Sequence, residues 1–414
     1  MKLKSVPEDF RVEEISDVEP SKGQFGLYRL EKCGLGTPEA IQSILHKWQL
    51  ARADLSYGGM KDRHADTTQY LTIFRGPKSG LTDKSFTLEY LGQCPRAYHS
   101  KNIVANRFDI CLRRIDPSQR ERLNGRCQLI QQSGVVNYFD DQRFGSIGYS
   151  GDLIGVSWCL GNYERALYLS MAEPNQHDRP REKDQKEILR DCWGDWLKCK
   201  ALLDRSHRRS VVTYLCDHPT DFKRALALVR QDLRGIYISA FQSWVWNRWL
   251  SKLIEGGAPV NELEYLESRC GKLAMPLNPK SLCIGRLPIE QLDLPLPSAR
   301  QHSWPTETLD SLEQVLAPLN MDVHQMRLKY PRDTFFSRGM RTAWLHPKDF
   351  SYEWAPDQFQ QGFESLLLKF TLPRGAYATM VVRCLFQEPI LEALLESSDE
   401  EPEDFPDEQH LNQQ

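Results

Sequence analysis

No stretch of this 414-residue chain approaches the roughly 18 consecutive apolar residues of a membrane helix, and Met1-Lys2-Leu3-Lys4 leads into polar sequence without a signal-peptide core. A cytosolic protein is therefore expected. The 11 cysteines are scattered, with no Cys-x-x-Cys pair and no Cys/His cluster at zinc spacing. Neither a disulfide framework nor a structural metal is indicated, and the cysteines read as reduced, mostly buried thiols. There is no G-x-G-x-x-G and no Walker loop, which argues against a nucleotide-binding fold and leaves no cofactor to expect. A second carboxylate at readable spacing is also missing, so hydrolysis by Asp62 with His64 is a poor reading.

Basic residues are missing from one end. After Arg383 there is no Lys or Arg, while ten of the 56 acids fall there, which turns a net charge of −3 into 53 basic against 46 acidic residues, or +7, over 1–383. Such a body can hold a phosphate backbone with strong salt dependence. The acid-rich end, 397–414, has too little apolar content to fold and is expected to be a disordered tail.

What is present is an ordinary globular composition, 40% hydrophobic and 26% charged, long enough for two domains with sizeable cores. Phe10 and Val12 alternate as on a half-buried strand, with Gly26 to Leu30 read as its partner. Thr37-Pro38-Glu39 reads as an N-cap, a helix-starting proline and a first-turn acid, followed by Ile41, Ile44, Leu45 and Trp48 on one face. Strands are expected at Thr68 to Phe74, Phe86 to Tyr90, Arg107 to Ile115 and Phe363 to Leu372, and a helix after Asp116-Pro117 with Leu123, Cys127 and Ile130 inward. Strands and helices without a regular βαβ rhythm indicate α+β. Around residue 163 the character changes to basic clusters (Lys198, Lys200, Arg205, Arg208, Arg209, Lys223, Arg224), a helical stretch Ser239 to Asn247, and proline-rich links.

The stretch with the most chemistry is Tyr57-Gly58-Gly59-Met60-Lys61-Asp62-Arg63-His64-Ala65. The glycines permit positive φ and close approach of a ligand. Lys61 and Arg63 are expected to keep Asp62 ionised, as a nucleophile or base requires. Taken locally, a solvated Gly-Gly loop with mixed charges is the blander alternative. A second stretch, Asn137-Tyr138-Phe139-Asp140-Asp141-Gln142-Arg143-Phe144-Gly145, combines an amide suited to a uracil edge, aromatic faces for stacking and an Arg for a phosphate or carboxylate. A third is Leu372-Pro373-Arg374-Gly375-Ala376-Tyr377-Ala378-Thr379.

These stretches resemble, in order, the G-x-K-D-(R/K)-H-A-x-T-x-Q, N-Y-(F/Y)-x-x-Q-R-F-G and L-P-x-G-(S/A)-(Y/F)-A-T signatures of the TruD family of tRNA pseudouridine synthases; Lys4 with Pro7-Glu8-Asp9-Phe10 resembles its opening. Ala105-Asn106 departs from the family's usual Gly-Asn. The resemblance implies a pseudouridine-synthase-like catalytic domain with a mixed, largely antiparallel sheet, formed by 1–162 and 345–396, and an inserted α+β TRUD domain, 163–344, as the opposite wall of an RNA cleft. It implies Asp62 as the catalytic residue and Phe10, Asn137, Phe139 and Tyr377 as contacts of the target uridine. Lys4, Arg63 and Arg143 are the candidates for the cation that aligns Asp62; Phe10 is equally readable as a sheet-face residue, and Arg143 as a structural ion-pair partner. The implied reaction is isomerisation of uridine to pseudouridine in tRNA, at the thirteenth position, by a monomer without cofactor. Attack on the ribose and proton abstraction both stay open, and a non-catalytic RNA-binding protein on the same scaffold is the rival reading.

Overall fold

The computed structural model describes residues 3–277, 279–300 and 306–386, without the side chains of 306–308. The expected tail, 397–414, and the expected last part of the catalytic domain, 387–396, lie outside the described residues. The described chain divides into two compact units, one of residues up to Asn137 and from Leu345 on, the other Tyr138–Trp344. The division thus falls before Tyr138, whereas the composition change had suggested 163, because the segment from Phe139 to Arg143 bonds to a helix a hundred residues further along the chain.

The first unit is built on one mixed sheet. Its strands are β1 (Phe10–Ser16), β2 (Phe25–Cys33), β3 (Leu55–Tyr57), β4 (Asp66–Phe74), β5 (Leu81–Thr82), β6 (Phe86–Cys94), β7 (Ile103–Ile115) and the late strands Lys348–Pro356 and Glu364–Pro373. The lateral order runs from Lys348–Pro356 through Glu364–Pro373, β7, β1, β4, β2 and β6 to β5, with β3 on β4. Only β1 against β4 is parallel, Arg11 facing Asp66 and Val12 facing Thr67. The expected pairing of β1 with β2 is corrected: β1 lies between β7 and β4, and β2 between β4 and β6. The loop from β3 turns β4 into the gap between them, a long-range pairing that local alternation does not specify.

The helix Thr37–Trp48 (α1) covers one sheet face, burying Ala40, Ile41 and Ile44 against Tyr28, Leu30, Leu71, Ile73 and Leu88. Alternation does the sorting. On β2, Tyr28, Leu30 and Lys32 all point inward, and two of them are the apolar residues a buried face wants. Farther along the sheet, Phe10, Phe108, Phe370 and Phe350 form a chain of ring contacts, and Arg120–Ser133 (α2) buries Leu123, Cys127 and Ile130.

The second unit is α+β. Its core is the helix Gln231–Gly257, with Phe241, Val245, Trp246, Trp249, Leu250 and Ile254 buried, accompanied by shorter helices and two-stranded hairpins such as Leu263–Leu266 with Leu273–Pro276. Cys192 and Cys199 are disulfide-bonded, a correction to the expectation of reduced thiols throughout. The tight turn between the helices Pro180–Cys192 and Trp196–Leu202 brings their Cα atoms to 5.6 Å, within the range a disulfide requires.

Candidate active site

The loop between β3 and β4 carries Asp62, and its backbone is held from three sides. Thr37 at the start of α1 accepts the Lys61 N–H at 2.9 Å and donates to Gln69 Oε1 at 2.8 Å, while the Gln69 amide donates to the Gly59 carbonyl at 3.3 Å. Thr37 had been read as the N-cap. Gly36 occupies that position instead, its N–H held by Glu39 at 2.8 Å, which frees the threonine hydroxyl for the loop. Below the loop, the ammonium of Lys32 donates to the carbonyls of Leu35 at 2.6 Å and Asp62 at 2.8 Å, with Lys61 O at 3.4 Å. Neither Gly58 nor Gly59 takes positive φ. Gly58 is small for another reason: a Cβ there would meet Ile103 Cδ1 at 2.7 Å and Tyr98 Cε1 at 2.9 Å.

The side chain of Asp62 is gripped by Lys4, Nζ to Oδ2 at 2.7 Å. The lysine side chain is 2% exposed and the aspartate 36%, so a buried ammonium fixes one oxygen while the carboxylate opens outward. Among the described residues Oδ1 takes no hydrogen bond. Lys4 itself has φ of +55°, a left-handed conformation that costs a non-glycine residue about 1 kcal/mol or more, and its neighbour Leu3 is fully buried. The same ammonium lies 4.3 Å from the centroid of the Phe10 ring. Lys4, Phe10 and Asp62 therefore form one group, although 52 residues separate Phe10 from the loop.

The cations that flank Asp62 in sequence serve other acids. Lys61 reaches back to Glu14 at 3.0 Å and Asn106 at 2.5 Å, and Glu14, fully buried at its side chain, also accepts the Tyr98 hydroxyl at 2.8 Å. Arg63 meets Glu39 at 3.0 Å. Adjacency misled the sequence reading here, because successive side chains leave a loop in different directions. Ala105, the departure from the family pattern, lies inside β7 opposite Ile15, so no glycine turn is needed there. His64 is exposed.

The remaining candidates are distributed as follows. Asn137 is buried at the end of the first unit's early segment, just past Val135–Val136, which packs against the helix Ala378–Phe386; Tyr377 is the half-buried residue immediately before that helix. Phe139 and Arg143 belong to the second unit. Asn247 brackets Phe139, accepting its N–H and donating to its carbonyl, both at 2.8 Å. The Phe139 ring meets Trp246 edge-on at 5.5 Å and lies under the Arg341 guanidinium at 4.0 Å. Arg143 donates to Ser239 at 2.9 Å and Ser243 at 3.3 Å. Lys32, Thr37, Glu14, Asn247 and Arg341 were not singled out from sequence as site supports. Lys32 and Glu14 each left a signal, a charge at an inward position of an otherwise apolar strand face.

A mixed, largely antiparallel sheet whose strands enclose a long insertion is the class this chain belongs to by fold. A crystal structure from Methanosarcina mazei, described as a candidate tRNA pseudouridine synthase D (TruD), superposes with a TM-score of 0.70 at 24% identity, covering 94% of this chain and 93% of that one. The family model for tRNA pseudouridine synthase D (TruD) matches residues 1–268, and the chain belongs to the TruD family. It is thus a tRNA pseudouridine synthase, an isomerase. Similar proteins include the tRNA pseudouridine synthase D of Leptospira interrogans, 27% identical over 92% of this chain and 95% of that one, and that of Aquifex aeolicus, 25% identical over 93% and 98%. Among the described residues no group of three or more His, Cys, Asp or Glu is arranged to hold a metal, and no helix is long and apolar enough to cross a membrane.

Proposed function

We propose that Asp62 is the catalytic group of this synthase and that its target is the uridine at the thirteenth position of tRNA. The observation that carries the reading is the Lys4–Asp62 contact: a buried ammonium holds Oδ2, and Oδ1 has no partner among the described residues, at a partly exposed position. An oxygen so disposed suits attack on the ribose C1′ and equally removal of a ribose proton. In either route the bond from C1′ to N1 breaks, the uracil turns, C5 bonds to C1′ as the carboxylate leaves C1′ or returns the ribose proton it took, and the proton lost from C5 is balanced by one gained at N1. The base must first leave its stack, at a cost of a few kcal/mol. Phe10, Phe139 and Tyr377 are assigned to ring contact with the uridine and Asn137 to its polar edge, which offsets that cost. Arg143 and Arg63 support the loop and turn that carry these groups. The enzyme acts as a cytosolic monomer without cofactor.

The test maps pseudouridine in a tRNA transcript after incubation with the full-length protein. Product at the thirteenth position, absent when cytidine replaces the uridine there, is the expected result. Product at another position, unaffected by that replacement, overturns the target.

A further inference from the structure

Lys32 stands out because its charge is buried with no directly bonded carboxylate among the described residues. It points inward from β2 beside Tyr28 and Leu30, is 2% exposed, and spends its ammonium on the carbonyls of Leu35, Lys61 and Asp62. Three acceptors match the three N–H donors of an ammonium, and two of those acceptors belong to the residues that set the direction of the Asp62 side chain. We propose that Lys32 is a positioning residue for the isomerisation, fixing the backbone at Asp62 while Lys4 fixes the carboxylate. The inference rests on the assignment of Asp62 as the catalytic group. A methionine would fill the same space without the desolvation cost, so the charge is retained for what it holds.

The burial has a consequence in pH. Desolvation pulls the Lys32 pKa from 10.5 down to about 8, opposed by Asp62 on the loop and Glu39 on α1; Lys61 lowers it further and the adjacent Cys33 raises it. Above about pH 8 the amine keeps two donors for three carbonyls and loses its attraction for Asp62. Between about 8 and 10.5 the unfolded chain binds more protons at this residue than the folded one, so its contribution to stability increases with pH as the cost of burying a charge is relieved. Catalysis moves the other way. A purely structural lysine would produce the first trend without the second.

The experiment measures single-turnover pseudouridine formation across this range for the wild type and Lys32→Met, together with tRNA Kd and urea stability. The wild-type rate should fall above about pH 8. Lys32→Met should be slower by about 10–100-fold at neutral pH, with Kd unchanged, stability retained and that alkaline limb lost. A wild-type rate that stays level past pH 8, a limb equally present in Lys32→Met, or a variant as fast as the wild type overturns the proposal. If the variant does not fold, a wild-type profile level past pH 8 still overturns the proposal. An active Asp62→Asn protein would instead defeat the assignment of Asp62, and an inactive one beside a fully active Lys32→Met would defeat only the role of Lys32.

Discussion

The Asp62 loop and the turn at Phe139 are both recognisable sequence signatures, yet they are held by different means. Charged side chains from distant parts of the chain grip the loop: Lys4 its carboxylate, Lys32 its carbonyls, and Glu14 the neighbouring Lys61. The turn is held by the neutral amide of Asn247 and by Trp246, with Arg341 over the ring. A segment that presents a carboxylate is best supported by charge, because a charge-assisted hydrogen bond holds it in place. A segment that presents a ring is held by directional hydrogen bonds and packing, to which the Arg341 guanidinium adds a cation–π contact. The first arrangement is accordingly the more sensitive to removal of single charges.

The largest expected effect on stability comes from Lys61→Met. It strands the buried Glu14 carboxylate, and unfolding in urea should show a loss of about 3–5 kcal/mol, most of it recovered in the Lys61→Met/Glu14→Gln double variant. Failure of the double variant to recover would mean the loop is held by something other than this pair. Lys4→Met comes next: the rate of pseudouridine formation should drop about 100-fold, with tRNA affinity little changed. An equal rate would reduce the Lys4 contact to packing. On the other side of the comparison, Asn247→Leu removes both bonds to the Phe139 backbone and should cost about 2–3 kcal/mol, by an amount independent of pH. A strong pH dependence there would blur the contrast between the two supports. The smallest effect belongs to the exposed Lys198, Arg205 and Arg224 of the second unit. Replacing all three with Gln should lower the slope of log K against log salt by about 2–3 if each meets a phosphate, leaving the rate at saturating tRNA unchanged.

Much of this is legible in the sequence. The periods of β1, α1, β4 and β7 were clear because each buries one face, and Asp62 was prominent because a carboxylate between two cations follows a pair of glycines. What escaped is long-range. The insertion of β4 between β1 and β2 depends on pairing across some fifty residues, and local alternation is the same whichever neighbour a strand takes. Lys61 and Arg63 were assigned to Asp62 from adjacency alone, whereas the ammonium on that carboxylate arrives from Lys4, 58 residues away, the one of the three candidate cations that reaches it. The start of the second unit was placed late for a similar reason: the partner of Phe139 is Asn247, 108 residues on. The bond between Cys192 and Cys199 depends on a turn between two helices that their spacing does not reveal.

The central claim is that the carboxylate of Asp62 does the chemistry. The most direct measurement is the single-turnover rate of Asp62→Asn with saturating protein over tRNA, beside its tRNA Kd. A rate lowered by about 1,000-fold or more with Kd preserved is predicted. Pseudouridine formed at close to the wild-type rate would contradict the account.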